Sequence, residues 1–372
     1  MTCPAETMSG SKPGLPASNR PVQTKDIIAD AQYLAYSFDF SSECVAYLPV
    51  SREELQKATM LKRGLIAPDR ALIQVPLAEI ENLLDAQEPP ASSRPPQFIF
   101  HTAFCASTFL SRCLDIEGHS VSLREPQLLL DAANAKRLRW RAKSTSLDFQ
   151  DLPRLFLNLL QKHATASETL VIKPINSANN IALELLRATP DSKALMLYTD
   201  ARNFVLSMLG KGEGSKQTVR SMFDLIRCDF SHLSNLQLTH VIHMSDLRIA
   251  MTLWRLQIEQ AEAILQELSD SGKIASLYGE TLIRQPLDAL AAANHFLNLG
   301  LSAEQVNAIA TSDARFIDAK NPEQRFSLEK RAQRNEKLES FFGKDLDDGL
   351  GWLQRSNPQT RLLPELEPAL PL

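Results

Sequence analysis

The sequence has few cysteines and none in pairs. Its five cysteines are scattered through the chain, at Cys3, Cys44, Cys105, Cys113 and Cys228. No C-x-x-C pair and no Cys/His cluster occurs, so neither a disulfide framework nor a structural zinc site is supported. Reduced thiols in a cytoplasmic protein are the simplest interpretation.

Long apolar runs and an excess of basic residues are also missing. No segment approaches the ~18–20 apolar residues that a membrane span requires, and the Pro/Ser/Gly-rich residues 1–23 lack the apolar stretch of a signal peptide. The 40 Lys and Arg residues are outnumbered by 44 Asp and Glu residues, for a formal net charge of −4. This balance argues against a general nucleic-acid-binding protein. We therefore expect a cytoplasmic chain with a small-molecule partner, no nucleic acid and no membrane span.

The composition and its changes along the chain predict one main domain with additions at both ends. Hydrophobic residues make up 44% of the sequence, which is enough for a sizeable core. We predict four segments: a disordered tail (1–23), an N-terminal α+β appendage with a proline-rich linker (24–95), an α/β domain (96–312), and a helical C-terminal extension packing on it (313–372). Within the appendage, residues 44–49 read as a strand, and Ser51 begins a capping box that opens a helix. The proline-rich end from Pro364 onward is expected to be frayed.

After the linker, short apolar runs alternate with helical spacing. The candidate strands are residues 97–101, 120–124, 170–173, 194–198 and 274–278. Their nearly continuous hydrophobicity suits strands that are buried on both faces, as in parallel sheets. Between them, residues such as Ile181, Leu185 and Ala188 recur at helical spacing. This alternation predicts a doubly wound, mostly parallel five-stranded sheet with helices on both faces.

The first predicted strand runs into a loop of small residues that begins at Thr102. Ser107 and Thr108 then open an apolar helix through Phe109. Unpaired N–H groups and the helix dipole favour an anion at such a place, which lies beyond the carboxyl end of a strand. A strand-to-helix turn without a ligand is equally compatible with this segment alone. The chain contains no G-x-x-x-x-G-K-[ST] motif, so an ordinary ATPase or GTPase is not expected.

Residues 98–114 resemble the 5′-phosphosulfate loop of sulfotransferases, with Ser107 and Thr108 at the family's Thr-Thr pair. Three further segments resemble motifs of this family in the same order. They are Lys173-Pro at the end of the third strand, residues 189–207, and residues 278–300. The resemblance implies a P-loop-like sulfotransferase fold that uses 3′-phosphoadenosine 5′-phosphosulfate (PAPS) as donor and requires no metal.

The same resemblance implies which residues hold the donor. The phosphosulfate group would be held by Thr102, Cys105, Ala106, Ser107, Thr108 and Phe109. The 3′-phosphate would lie near Asp200, Arg202 and Ser207, with a late contact from Lys320. Several positions depart from the family pattern. In the loop, the basic residue is Phe104 here and the Ser-Gly pair is Cys105-Ala106; in the 3′-phosphate motif, the leading arginine is Thr199 and the proline is Ala201. Removing a cation at such a position weakens transition-state stabilisation.

Sulfuryl transfer also needs cations near the developing charge and a base for the acceptor. Glu125 is our first choice for the base, because it resembles the acidic residue that some Golgi-type sulfotransferases place after the second strand. Lys173 or Arg124 would replace the missing loop cation, although an ion pair capping the turn at 124–125 is equally compatible. His101 and His119 are alternative bases, but a structural role is the simpler interpretation for His101.

Further cations, Lys211 and Lys216, lie in a glycine-rich segment that we interpret as a mobile lid or connecting loop. The sequence thus predicts a sulfotransferase-like enzyme that transfers a sulfuryl group from PAPS to a hydroxyl or amine of a small-molecule acceptor. Two alternatives stay open. One is a non-catalytic protein of the same fold that binds a metabolite or a partner protein, which Phe104 and Thr199 favour. The other is a P-loop small-molecule kinase, which the missing Walker lysine disfavours. The acceptor and the oligomeric state are not predicted.

Overall fold

The computed structural model describes residues 23–61, 70–85, 94–233, 238–312 and 328–372. The predicted disordered tail up to residue 22 and most of the proline-rich linker lie outside these ranges. The N-terminal elements are α1 (Thr24–Ala29), β1 (Tyr33–Asp39), β2 (Cys44–Pro49), α2 (Arg52–Lys57), β3 (Ile73–Pro76) and α3 (Leu77–Asp85). The three strands form an antiparallel sheet in the order β1-β2-β3. The predicted capping box at Ser51 is confirmed, and it begins α2.

The main sheet is formed by β4 (Gln97–His101), β5 (Ser120–Arg124), β6 (Thr169–Lys173), β7 (Ala194–Tyr198) and β8 (Ile274–Tyr278). Its strand order is β5-β6-β4-β7-β8, and every neighbouring pair is parallel. The five predicted strands are therefore confirmed, since each apolar run is long enough for one strand and is buried.

Helices connect and cover these strands. They are α4 (Ser107–Cys113), α5 (Gln127–Leu138), α6 (Leu152–Gln161), α7 (Ala182–Ala188), α8 (Ala201–Leu209), α9 (Glu213–Ile226), α10 (Leu238–Ile242), α11 (Asp246–Glu267), α12 (Gly279–Arg284), α13 (Pro286–Phe296), α14 (Ala303–Thr311) and α15 (Leu328–Ser356). Short 3-10 helices lie at Asn176–Ile181, Arg227–Asp229, Ser231–Leu233 and Ser269–Ser271. No helix of the described residues combines the length and apolarity needed to cross a membrane.

Two hydrophobic clusters lie on the two faces of the main sheet, because successive strand side chains point to opposite sides. Phe98 and Phe100 belong to one cluster, which also contains the N-terminal sheet and residues of α5 to α9, α11 and α15. Ile99 belongs to the other, with residues of α4 and α12 to α14. The predicted α/β fold with helices on both faces is thus confirmed. The N-terminal sheet shares a core with the main domain.

The C-terminal residues bind along the outer strand of the main sheet. The amide of Ser276 in β8 donates to the carbonyl of Pro368 at 2.7 Å, and the amide of Leu370 donates to the carbonyl of Ser276 at 2.8 Å. The side chains of Leu366 and Leu370 are buried. The expectation of a frayed end is wrong for these residues, because backbone hydrogen bonds and two leucines fix them.

The strand order places a topological switch point at β4. From this central strand the chain builds β5 and β6 on one side, and then β7 and β8 on the other. Ligands of open α/β sheets bind in the crevice beyond the carboxyl ends of strands at such a point. The loop after β4 therefore lies at the favoured place for a ligand.

Candidate functional site

The loop between β4 and α4 has an unusual backbone. Phe104 and Ala106 have φ values of 62° and 64°, in the left-handed region that residues with a side chain rarely adopt. The amides of Phe104, Cys105 and Ala106 donate no hydrogen bond to any residue that the structure describes. Successive unpaired amides in such a turn form a concave donor surface for an anion. Strained residues of this kind concentrate at functional sites.

Two residues that sequence reasoning missed hold this loop in place. Gln257 of α11 is fully buried, and its Oε1 accepts a hydrogen bond from the amide of Ala103 at 2.8 Å. Gly279 lies against the other side, where a Cβ would be 2.5 Å from the carbonyl oxygen of Cys105. Both could have been suspected from the sequence, since Gln257 interrupts an apolar stripe and Gly279 directly follows a predicted strand.

Two buried hydroxyls end the two central strands beside the loop. Thr102 follows β4 and Thr199 follows β7, and the amide of Thr102 donates to the carbonyl of Leu197 at 2.8 Å. The Oγ1 atoms of Thr102 and Thr199 are both buried without a hydrogen-bond partner among the described residues. Leaving such a group unpaired costs about 1–3 kcal/mol. A polar ligand that forms hydrogen bonds with these two hydroxyls at the carboxyl edge would offset this cost.

Glu125 and Lys173 are brought together at the ends of neighbouring strands. Lys173 Nζ lies 2.7 Å from Glu125 Oε1, and the two side chains are 1% and 9% exposed. The amide of Glu125 donates to the carbonyl of Lys173 at 2.6 Å, and Glu125 also has a positive φ of 54°. The structure therefore brings Glu125 and Lys173 together at the carboxyl edge of the sheet, as an ion pair.

His101 fills a structural position, as the simpler interpretation predicted. It is buried, with Nδ1 2.8 Å from the carbonyl oxygen of Thr102 and Nε2 3.1 Å from that of Pro174. Burial, with the nearby charge of Lys173, lowers the pKa of His101 to about 3. The neutral ring can donate to only one of the two carbonyls. His119 precedes β5 at the opposite edge of the sheet, so it is not placed to act as the base.

Arg124 is directed away from the loop. Its guanidinium forms an ion pair with Asp115 at 2.9 Å. It also donates to the carbonyls of Leu55, Gln56 and Ala58, at 2.8, 2.6 and 2.9 Å. With four of its N–H groups engaged and its side chain 1% exposed, Arg124 attaches the end of α2 to β5. The sequence left two alternatives open for Arg124, a catalytic role and an ion pair with the following glutamate, and this geometry fits neither of them.

Asp200 begins α8 and serves as its N-cap. Its Oδ1 accepts a hydrogen bond from the amide of Asn203 at 2.8 Å, and its Oδ2 accepts one from the hydroxyl of Tyr278 at 2.6 Å. Asp200 therefore has a structural role, because it accepts a hydrogen bond from an amide that would otherwise be unpaired at the start of the helix. A direct contact between this carboxylate and a phosphate is disfavoured by their like charges.

Arg202 lies in the first turn of α8 and contacts the C-terminal helix. It forms ion pairs with Glu339 and Asp347 of α15, the latter at 2.8 Å. Hydrogen bonds to these carboxylates raise the pKa of Arg202. A phosphate must therefore compete with two carboxylates for this side chain. Ser207 is buried further along the same helix, and Lys320 lies outside the described residues.

Phe104, at the position where a basic residue was expected, is covered by a lysine. The Nζ atom of Lys211 lies 4.6 Å from the centroid of the Phe104 ring. The ring also packs edge-on against Phe204 of α8, with the centroids 5.1 Å apart. The segment that carries Lys211 thus reaches the loop, a contact that no sequence spacing indicated.

The described residues offer no alternative centre of metal or thiolate chemistry. Among them, no group of three or more His, Cys, Asp and Glu side chains could hold a metal ion. The four described cysteines form no disulfide with one another, and burial raises the pKa of the Cys105 thiol. Since the thiolate is the nucleophilic form, this residue is not activated. A cavity of about 480 Å³ lies between α8, α9, α11 and α15, and none of the predicted site residues lines it.

The fold and the site together define an α/β protein whose loop at the switch point carries amides without an acceptor among the described residues. No protein-family model matches the sequence, and no curated protein does so. Several solved structures are similar, all of them sulfotransferases, the family that the motifs resemble. A sulfotransferase from Mycobacterium avium shares 14% identity over 73% of this chain and 80% of its own, with a TM-score of 0.39.

Two other solved structures are similar at the same level. The sulfotransferase domain from the curacin biosynthetic pathway shares 14% identity over 68% of this chain and 99% of its own, with a TM-score of 0.42. A sulfotransferase from Alicyclobacillus acidocaldarius shares 13% identity over 72% of this chain and 98% of its own, with a TM-score of 0.34.

Proposed function

We propose that this protein holds the phosphosulfate group of PAPS on the loop of residues 102–108 and transfers its sulfuryl group to a small-molecule hydroxyl in the cytoplasm. One observation carries the proposal: at the switch point of a parallel sheet, consecutive amides in a strained turn lack acceptors among the described residues. Gln257 and Gly279 hold this turn. Donors fixed in this way stabilise the charge that develops during group transfer without having to reorganise.

The surrounding residues have defined tasks in this reaction. The acceptor oxygen attacks sulfur while the bond between sulfur and the bridging oxygen breaks, and that oxygen leaves as part of the phosphate. The amides of the loop and the hydroxyls of Thr102 and Ser107 donate to the leaving group. Glu125 takes the acceptor's proton, and Lys173 holds its carboxylate in place through the ion pair. The 3′-phosphate lies near Thr199 and Ser207.

A non-catalytic protein of the same fold is the second candidate. The observation that favours it is the pairing of Arg202 with two carboxylates of α15, because a cation that is already compensated binds phosphate less strongly. Such a protein would bind the nucleotide or another anion without transferring sulfate. A transfer assay with labelled PAPS across phenols, sugars and alcohols separates the two candidates.

The binding step can be tested with one pair of matched variants. Thr102→Val removes a buried hydroxyl that has no hydrogen-bond partner among the described residues, so it should leave the free energy of unfolding unchanged or slightly higher. Its affinity for adenosine 3′,5′-bisphosphate should fall about tenfold, because the ligand loses a charge-assisted hydrogen bond. Thr169→Val is the control, since this threonine's Oγ1 is equally buried without a described partner but begins β6, at the opposite edge.

Calorimetric titration of the wild type and both variants gives the result. The expected pattern is tight binding by the wild type and by Thr169→Val, and weaker binding by Thr102→Val. If the wild type takes up no bisphosphate at millimolar concentration, the proposed donor is wrong. If both valine variants bind equally well, the hydroxyl of Thr102 does not face the ligand.

A further inference from the structure

We propose that Asn176 and Gln257 act as positioning residues in the proposed reaction. Through one shared oxygen they fix the loop of residues 102–108, which holds the donor, relative to the ion pair of Glu125 and Lys173, which contains the base. This inference rests on the proposed function. It concerns the alignment of the two reactants rather than the binding of either one.

The two strands that carry the site separate toward their carboxyl ends. The backbone pairing of β4 with β6 covers Gln97 and Phe98, whereas the pairing of β4 with β7 continues to His101. Pro174 directly follows β6 and has no N–H group with which to extend the ladder. A crevice for a ligand opens at such a point, so contacts other than the ladder must fix the distance between the two strand ends.

Two buried side-chain amides span this distance. Nδ2 of Asn176 donates to Oε1 of Gln257 at 2.9 Å, and the same oxygen accepts the amide of Ala103 at 2.8 Å. Because a backbone amide can only donate, the atom of Gln257 that faces Ala103 must be its oxygen, and the group of Asn176 that faces this oxygen must be its NH2. The backbone of the loop therefore determines the orientation of both side chains. We call this pair the Asn176–Gln257 bridge.

Two further hydrogen bonds hold the same segments together. Nε2 of His101 lies 3.1 Å from the carbonyl oxygen of Pro174, and Nδ2 of Asn179 donates to the carbonyl of His101 at 3.0 Å. These contacts fix the 3-10 helix Asn176–Ile181 against the end of β4. The bridge extends this network to the loop that follows β4.

Helix α11 supports the bridge. Trp254 and Gln257 are three positions apart, on one face of this helix, and both are fully buried. Nε1 of Trp254 donates to the carbonyl of Thr199, which follows β7, at 2.8 Å. One helix face thus contacts residues that follow β4, β6 and β7. Geometry that is supported by a helix is held more precisely than geometry supported by a loop.

The bridge should matter more for transfer than for binding. The donor is held by the amides of Phe104, Cys105 and Ala106, which move together with the loop, so a displaced loop still binds the donor. The base, Glu125, keeps its place at the end of β5. A displacement of about 1 Å between reacting groups can lower a rate about 100-fold. Loss of the bridge should therefore reduce the transfer rate at nearly constant affinity.

The test compares Asn176→Ala with Asn180→Ala. Asn180 lies in the same 3-10 helix, but its Nδ2 donates to the carbonyl of Ala133 in α5 and to Oδ1 of Asp229, at 3.2 and 3.1 Å. We measure transfer from labelled PAPS to the acceptor that the panel of phenols, sugars and alcohols yields, and calorimetric binding of adenosine 3′,5′-bisphosphate. The stoichiometry of binding corrects each rate for the folded fraction.

The two variants should differ in the rate and not in the affinity. Asn176→Ala should lower the transfer rate about 10- to 100-fold, with an affinity for the bisphosphate within about threefold of the wild type. Asn180→Ala should stay within about twofold of the wild type in both measurements, because its partners lie outside the site.

Variants of Gln257 test whether the shared oxygen is what matters. Gln257→Glu should keep most of the rate and affinity, because a buried carboxyl is neutral and retains an oxygen acceptor and an O–H donor. Gln257→Met should lower both, since the amide of Ala103 loses its acceptor. Adding Asn176→Ala to Gln257→Met should cause no further loss of rate, because the bridge is already absent.

The inference is overturned, while the proposed function stands, if Asn176→Ala transfers sulfate as fast as the wild type or loses affinity in proportion to rate. It is also overturned if Gln257→Glu is as slow as Gln257→Met, and this comparison decides if Asn176→Ala does not fold. If the wild type transfers no sulfate, the proposed function and the inference are overturned together.

Discussion

Replacing Lys173 with methionine should destabilise the protein strongly, because it leaves the carboxylate of Glu125 buried without its cation. The two charges lie 2.7 Å apart with side chains 1% and 9% exposed. At an effective dielectric constant of about 20, their attraction is roughly 6 kcal/mol. Desolvation of both groups offsets much of this gain, so the pair as a whole contributes little compared with two neutral side chains.

The cost of breaking the pair is larger than its net contribution. Removing one partner of a buried ion pair typically costs about 3–5 kcal/mol, a large part of the ~5–15 kcal/mol that stabilises an ordinary domain. Lys173→Met should therefore lose about 3–5 kcal/mol, whereas K173M/E125Q should lie within about 2 kcal/mol of the wild type, because no charge is then left uncompensated.

Urea unfolding followed by circular dichroism measures all four members of this double-mutant cycle. Lys57→Met is a suitable surface control, since its ion pair with Glu53 has side chains 75% and 72% exposed. We expect it to change the free energy of unfolding by less than about 1 kcal/mol. A loss below about 1 kcal/mol for Lys173→Met as well, or additive effects in the cycle, would show that the pair is not buried in solution.

Three other predictions follow from described contacts. Gly279→Ala should weaken binding of adenosine 3′,5′-bisphosphate in calorimetry, because its methyl would lie 2.5 Å from the Cys105 carbonyl oxygen and displace the loop of residues 102–108; unchanged affinity contradicts this. Arg124→Met should lower the free energy of unfolding in urea by about 3–5 kcal/mol, since the buried carboxylate of Asp115 loses its guanidinium partner and three carbonyls lose the N–H groups that Arg124 donates; an effect near zero would mean that other contacts hold the end of α2. Burial lowers the pKa of His101 and of His163 to about 3, whereas the ordinary pKa of histidine is about 6.5. Below about pH 6.5 the unfolded chain therefore binds more protons than the folded protein. The free energy of unfolding should have its full value above about pH 6.5 and fall as the pH approaches 3, by roughly 2 kcal/mol per histidine at pH 5. Urea unfolding at pH 7 and pH 5 measures this loss, and a free energy of unfolding that does not change with pH contradicts it.

The strands of the main sheet were predictable because of their burial. A run such as Ala194–Tyr198 is apolar at nearly every position, which only a strand covered on both faces tolerates. That Glu125 and Lys173 share the carboxyl edge also followed from the strand assignments. Their direct contact could not be predicted, because it depends on β5 lying beside β6, and strand order cannot be inferred from the local sequence.

The contacts that shape the site depend on direction and distance, which periodicity does not encode. The sequence shows a phenylalanine in the loop, but not that a positive φ turns its ring toward Lys211. Arg124 ends a strand at the predicted edge, yet its side chain turns toward α2, where three carbonyls accept its N–H groups. In both cases the residue type indicated which kind of interaction the side chain can make, but not which residue it contacts.

The strip of chain from Leu366 to Leu370 has a practical consequence. An outer strand with open backbone groups invites pairing with another molecule, and here those of Ser276 in β8 are occupied by the chain's own end. Deleting these few residues should leave the backbone groups of the edge strand β8 unpaired and promote self-association on storage. Purification tags and fusion partners are better attached before residue 1, where they leave the pairing of residues 366–370 with β8 intact.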